Sequence, residues 1–171
     1  MTKRKIILIN IIALFVYGSI YMVYHIVKTR KQNQVTTVTK QTLPNFTFYN
    51  LDSIATSNNF ITKNNPVCIF YFNADCEHCQ YEAKEISKNI ALFKDTQIVM
   101  VSFNTIAEIK KFAQQYRLNY PIITFLQDPK YEFHEWFGKT SVPAVFIYNA
   151  QHKLVKEYHG ETKIEAIVKY L

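Results

Sequence analysis

The chain has 171 residues, room for one domain and an appendage. At 49% hydrophobic, with 3 Gly against 25 Phe and Tyr together, it can build a real core, which excludes collagen-like and Gly-rich disordered classes. The net charge of +7 lies wholly in residues 1–43, where Lys3, Arg4, Lys5, Lys28, Arg30, Lys31 and Lys40 meet no acid; residues 44–171 carry 13 basic and 13 acidic side chains, so composition gives no support to nucleic-acid binding.

Residues 6–27, "IILINIIALFVYGSIYMVYHIV", contain no Asp, Glu, Lys or Arg. As a helix they rise about 33 Å, enough for a hydrocarbon core of roughly 30 Å. Asn10 and His25 are the polar exceptions, and Tyr17, Tyr21 and Tyr24 crowd the second half as interface aromatics do. The run is long for a signal-peptide core and no A-x-A site follows it, so residues 1–28 read as an uncleaved signal anchor, a single transmembrane helix. The flanking charges nearly tie and do not orient it. Residues 29–43 hold only Val35, Val38 and Leu43 as clear apolar positions, without period, and read as a tether.

Residues 44–171 read as one folded domain. "PNFTFYN" suggests an edge strand, and "VCIFYFN" (67–73) a central strand buried on both faces. Ala83, Ile86, Ile90 and Phe93 give a helix pattern from Gln80 onward. "QIVMVSF" (97–103) is a second buried strand, and residues 105–118 a second helix. "PIITFLQDP" leads to a short helix in "KYEFHEWFG". "SVPAVFIYN" and "KLVKEYHG" form a hairpin, and "ETKIEAIVKYL" closes the chain as a helix, with Thr162 and Glu165 placed for a capping box. The order predicts an α/β fold with a mixed central sheet flanked by helices.

The chemistry centres on "ADCEHCQ". Cys76 and Cys79 lie three apart, and the third cysteine, Cys68, sits in a strand pattern as a small buried hydrophobe. A structural zinc site needs four ligands, usually two such pairs, and no second pair exists. A disulfide closing so short a loop stabilises little. A C-x-x-C beside a βα unit suits a dithiol that cycles with its disulfide. Cys76 is placed at the strand-to-helix junction, where a thiolate is favoured, and Cys79 one turn further in, as the shielded resolving thiol. Asp75, Glu77 and His78 tune the pair. A protonated His78 favours the thiolate and the two acids oppose it, which leans the pair towards a reductant.

With "FYFNADCEHCQYEAKEI" and "TSVPAVFIYNAQHKLVKEYHG", the chain resembles the thioredoxin-like superfamily, in its membrane-anchored TlpA/ResA-like branch of thiol-disulfide oxidoreductases. The resemblance covers roughly residues 44–171. It implies a thioredoxin-like fold and a Val142-Pro143 loop that faces the dithiol with a cis bond, Val142 contacting the substrate backbone. It also implies a bacterial cytoplasmic membrane with the domain on the extracytoplasmic side, protein disulfide substrates and an unidentified membrane-borne electron donor, with no organic cofactor and no metal.

Departures bear on mechanism. Asp75 and Glu77 stand where many relatives carry Trp and Pro. The strand before the motif lacks the buried acid that some relatives use for proton transfer. Glu82 and Glu85 are candidates for that task, with a solvated helix face as the ordinary reading of both. Two other functions remain open. One is a thioredoxin-fold binding module with a non-cycling disulfide. The other is a peroxiredoxin-like peroxidase, for which Asn73 stands where a Thr is usual.

Overall fold

The computed structural model describes the backbone of residues 3–171 and the side chains of 10–31 and 38–171. It falls into two compact units, Met1–Val38 and Thr39–Leu171. The basic side chains of Lys3, Arg4 and Lys5, and that of Val35, lie outside the described residues.

The first unit is helix α1 (Lys3–Thr39). Its stretch Asn10–Lys31 is 22 residues long, unburied, and by length and composition able to cross a membrane. The helix runs on through most of the expected tether. Residues 29–39 contain no Gly or Pro and several good helix formers (Lys, Arg, Gln), so continuation is cheap.

The second unit is a seven-stranded mixed sheet in the order β2-β1-β5-β4-β3-β6-β7. The strands are β1 (Thr47–Tyr49), β2 (Ala55–Ser57), β3 (Val67–Phe72), β4 (Gln97–Ser102), β5 (Ile123–Gln127), β6 (Ala144–Tyr148) and β7 (Leu154–His159). The helices are α2 (Glu77–Lys88), α3 (Ile106–Gln115), α4 (Phe133–Phe137) and α5 (Ile164–Val168). Strands β3, β4 and β5 run parallel, as βα units require, and β6 returns antiparallel beside β3 with Tyr71 opposite Ala144. This is the thioredoxin-like arrangement.

All six residues of β3 are buried, in keeping with its unbroken apolar run. Successive side chains face opposite ways, so the strand feeds two cores. Cys68, Phe70 and Phe72 join Ala83 and Ile86 of α2, Ile109 and Phe112 of α3, and Ile164 and Ile167 of α5. Val67, Ile69 and Tyr71 join Phe133 and Phe137 of α4, with Phe46 and Phe48. Tyr71 stacks on Phe133 with ring centroids 4.0 Å apart, and Phe133 stacks in turn on Phe137.

Several elements depart from expectation. β1 is not an edge strand, because β2 pairs outside it. The Asn50 side chain makes that hairpin possible, accepting from the N–H groups of Asp52 and Ile54 at 2.9 Å each. α2 begins at Glu77, a turn earlier than its apolar period suggests, because Cys76 takes the N-cap position. The final helix is only Ile164–Val168, and Thr162 does not cap it. The Thr162 hydroxyl donates to the Gly160 carbonyl instead, and its N–H is drawn to a carboxylate. A capping box does exist, at α3: Thr105 Oγ1 accepts from the Glu108 N–H and Glu108 reaches back to the Thr105 N–H at 2.8 Å.

Candidate functional site

The dithiol lies where β3 ends and α2 begins. Phe72 leaves the sheet, and Asn73-Ala74-Asp75 make the turn. Three backbone donors in and after this turn are satisfied, two within the turn and one by the neighbouring strand's end. The Ala74 N–H donates to Asn104 Oδ1 at 2.9 Å, the Asp75 N–H to Asn73 Oδ1 at 2.9 Å, and the Cys76 N–H to the Asn73 carbonyl at 3.1 Å. Gln80 Nε2 closes the turn from the helix side by donating to the Ala74 carbonyl at 2.9 Å. Asn104 follows β4, the parallel neighbour of β3, and is itself held by the Ser102 hydroxyl at 2.8 Å. The sheet therefore fixes the turn that presents Cys76.

The two thiols are free and unequal. Cys76 is the half-buried N-cap residue, with no side-chain capping bond. Cys79 is buried at 2% exposure and packs with Phe72, Ala83 and Val145. The Asn73 N–H points at Cys79 Sγ at 3.5 Å. Burial pushes the Cys79 thiol up strongly, and the neighbouring Cys76 and Glu82 add to this, while the Asn73 N–H opposes it. An accessible thiol beside a shielded one that holds its proton is the asymmetry dithiol exchange uses.

Glu82 overturns the solvated-face reading. It lies one turn beyond Cys79, is 3% exposed, and places Oε1 2.8 Å from the Thr162 N–H. Its carboxyl is pushed up to about 8: burial is the main cause, the Thr162 N–H pulls the other way, and the nearby Glu161 adds to the rise. Its signal in the sequence is its spacing. Cys79, Glu82, Ala83 and Ile86 share one helix face, and the apolar ones among them mark that face as inward. Glu85 lies off that face and pairs with Lys88 at 2.6 Å.

The tuning candidates occupy the rim. Asp75 and Glu77 are exposed on the turn and the first helical turn. His78 is turned away to Glu161, with Nδ1 2.7 Å from Oε2. Val142 is half-buried and packs against both cores, Pro143 is buried, and the bond between them is cis. Pro143 has no N–H, and its carbonyl accepts from the Gly160 N–H at 2.8 Å. Gly160, at φ 97°, takes a turn that only glycine adopts at no strain. Cys68 is fully buried in the sheet, and burial pushes its thiol up. Among the described residues no group of three or more His, Cys, Asp or Glu side chains could hold a metal ion. Asn73, Gln80, Asn104, Glu161 and Thr162 escape sequence reasoning as site residues. Asn104, Glu161 and Thr162 act through partners distant in the chain, and Asn73 and Gln80 through turn contacts that residue spacing alone does not mark.

A family model described as the AhpC/TSA family matches residues 39–157. No curated protein matches the chain. Among solved structures, the domain is similar to a secreted disulfide oxidoreductase of Mycobacterium tuberculosis described as homologous to E. coli DsbE. The TM-score is 0.63 at 19% identity, over 74% of this chain and 96% of that one. It is also similar to StoA of Bacillus subtilis, with a TM-score of 0.58 at 14% identity over 76% and 98%. A peroxiredoxin-like protein of Aquifex aeolicus superposes with a TM-score of 0.62 at 16% identity over 76% and 83%. At these identities the neighbours establish the fold.

Proposed function

The chain belongs to the AhpC/TSA family of thioredoxin-like redox proteins, and on that premise we propose that it is a protein disulfide reductase working through Cys76 and Cys79. The observation that carries this is the asymmetry of the pair: Cys76 half-buried at the helix start, Cys79 buried behind it beside the ionisable Glu82.

The cycle follows from that asymmetry. The Cys76 thiolate attacks one sulfur of a client disulfide. The client S–S bond breaks, a mixed disulfide forms, and the departing client thiolate takes up a proton. Cys79 then gives its proton to the Glu82 carboxylate and attacks Cys76 Sγ. The mixed disulfide breaks, and the second client thiolate leaves and takes up the proton that Glu82 has received. The client gains two electrons and two protons, and the Cys76–Cys79 pair, now a disulfide, has lost them. A membrane-borne thiol donor, whose identity the sequence does not name, returns the pair to the dithiol. Val142 and Pro143 lie on the loop that Gly160 braces, in keeping with a role in holding the client backbone.

In this reading residues 1–28 anchor the protein in a bacterial cytoplasmic membrane, residues 29–43 join anchor to domain, and residues 44–171 work on the extracytoplasmic side. The helix Asn10–Lys31 supports the anchor. The side follows from the chemistry, since disulfides persist outside the reducing cytoplasm. Peroxide reduction is the second reading, raised by the peroxiredoxin-like neighbour. It is weakened by Asn73, whose side chain caps the turn through the Asp75 N–H.

The test is the reduction potential of the Cys76–Cys79 pair, measured on the full chain in detergent with Cys68→Ser to keep one redox couple. A value at or below about −230 mV supports a reductant. A value near about −120 mV would reverse the direction to disulfide formation. Rapid turnover of hydrogen peroxide, with none of a protein disulfide, would favour the second reading.

A further inference from the structure

The loop between β7 and α5 meets the dithiol helix at two consecutive residues. Glu161 Oε2 lies 2.7 Å from His78 Nδ1, and the Thr162 N–H donates to Glu82 Oε1 at 2.8 Å. His78 and Glu82 are four residues apart on α2 and so share a face. The outer contact is wet, with side-chain exposures of 69% for His78 and 39% for Glu161. The inner one is dry, with Glu82 3% and Thr162 8% exposed. The loop is stiffened from within by the Thr162 hydroxyl on the Gly160 carbonyl, and its start is tied to Pro143 by the Gly160 N–H.

We propose that the His78–Glu161 pair is a positioning clasp for Glu82: it holds the β7–α5 loop on the face of α2, keeping the Thr162 N–H on the carboxylate and water off it. Its consequence for the reaction rests on the oxidoreductase reading, in which Cys79 must hand over a proton. Neither residue of the clasp touches the reacting sulfurs in that cycle. Both act through Thr162 and Glu82.

The surroundings of Glu82 define what to measure. Cys79 faces it from its own helix and Glu161 from the loop. α5 turns Ile164 and Ile167 inward and leaves Lys163, Glu165 and Lys169 exposed. β7 contributes Tyr158, whose hydroxyl donates to the Ala166 carbonyl, and β3 contributes Cys68 to the core that holds Cys79. Removing His78 then has two effects of opposite sign. If the pair is a clasp, the loop loosens, water reaches Glu82, and the carboxyl gives up its proton more easily, because burial is the largest cause of its raised affinity. If the pair is only a charge pair, the loop stays, Glu161 is left uncompensated, and Glu82 holds its proton more tightly.

The experiment is a carbon-13 NMR titration of the Glu82 carboxyl in the reduced full chain in detergent micelles, with amide exchange at Thr162 followed in parallel. His78→Ala is expected to lower the proton affinity of Glu82 about two- to fivefold, the range an exposed pair can command. Thr162 exchange should quicken by a similar factor. His78→Asp, which repels Glu161, should lower the affinity further, and His78→Lys, which restores the pair, should return both readings to wild type. An unchanged or increased affinity in the Ala and Asp variants, with Thr162 exchange unaltered, overturns the clasp. A well-dispersed amide spectrum identifies variants that are folded. The titration reads the clasp whether or not the protein turns over disulfides, so loss of the oxidoreductase reading would show separately, as a wild-type chain that exchanges with no disulfide.

Discussion

The Thr162 N–H donates to Glu82 Oε1 at 2.8 Å, joining residues 80 positions apart in the sequence. The bond places a carboxyl that titrates near 8 one helical turn from a buried thiol that holds its proton tightly. The consequences of this arrangement differ for rate and for stability.

For rate, Glu82→Gln removes the proton acceptor and keeps the size and a hydrogen-bond acceptor for Thr162. Resolution of the mixed disulfide is expected to slow about 100-fold, the usual scale of general-base assistance. In the wild type that step should quicken as pH rises through about 8, as Glu82 ionises. In the variant this inflection should vanish. Stopped-flow single turnovers across the pH range check both, and an inflection that survives in the variant would remove Glu82 from the mechanism.

For stability, the sign runs the other way. The folded carboxyl sits near 8 and an unfolded glutamate near 4.5, so between these values the folded state binds more protons. The stability that the raised carboxyl contributes is complete below about pH 4.5 and is lost as pH rises through about 8. Denaturant titrations should show wild-type stability falling across that window relative to Glu82→Gln, by on the order of a few kcal/mol. Parallel curves for the two proteins would contradict a buried, protonated Glu82.

The thiols are separated by trapping. Cys79→Ser leaves Cys76 able to attack but unable to be released, so it should accumulate a stable mixed disulfide with a model disulfide substrate. Cys76→Ser should accumulate none, because Cys79 is 2% exposed. Non-reducing electrophoresis after acid quench reads the adduct. Equal trapping by both variants would mean that burial does not set the order of attack.

The capping box at α3, directly after the Asn104 that holds the Cys76 turn, offers a calibration. Thr105→Ala deletes the acceptor for the Glu108 N–H and should cost about 1 kcal/mol of unfolding free energy. Thermal denaturation measures it. No change in the redox potential of Cys76–Cys79 is expected.

The buried β3, the two cysteines at the head of α2, the apolar terminal helix and most of the element order were legible in the chain, because each is a local pattern; β5 (Ile123–Gln127) was read only as a lead into α4, because it is short, at five residues, and only half-buried. An unbroken apolar run can only be a strand buried on both faces or a helix in an apolar medium, and a pair of cysteines three apart is visible without any fold. The hairpin that adds β2 was hidden because it depends on an Asn50 side chain rather than on periodicity. Thr162 was misread as a cap because its spacing to Glu165 was right, while the carboxylate that claims its N–H lies on another helix. Glu82 shows the division most plainly. In the sequence it is one charged residue among several on α2. Only the packing of α5 and its loop over that helix removes its water and lifts its carboxyl to about 8. Residue types and their spacing decided what chemistry is available. The contacts between distant segments decided which groups are desolvated, and desolvation sets proton affinity.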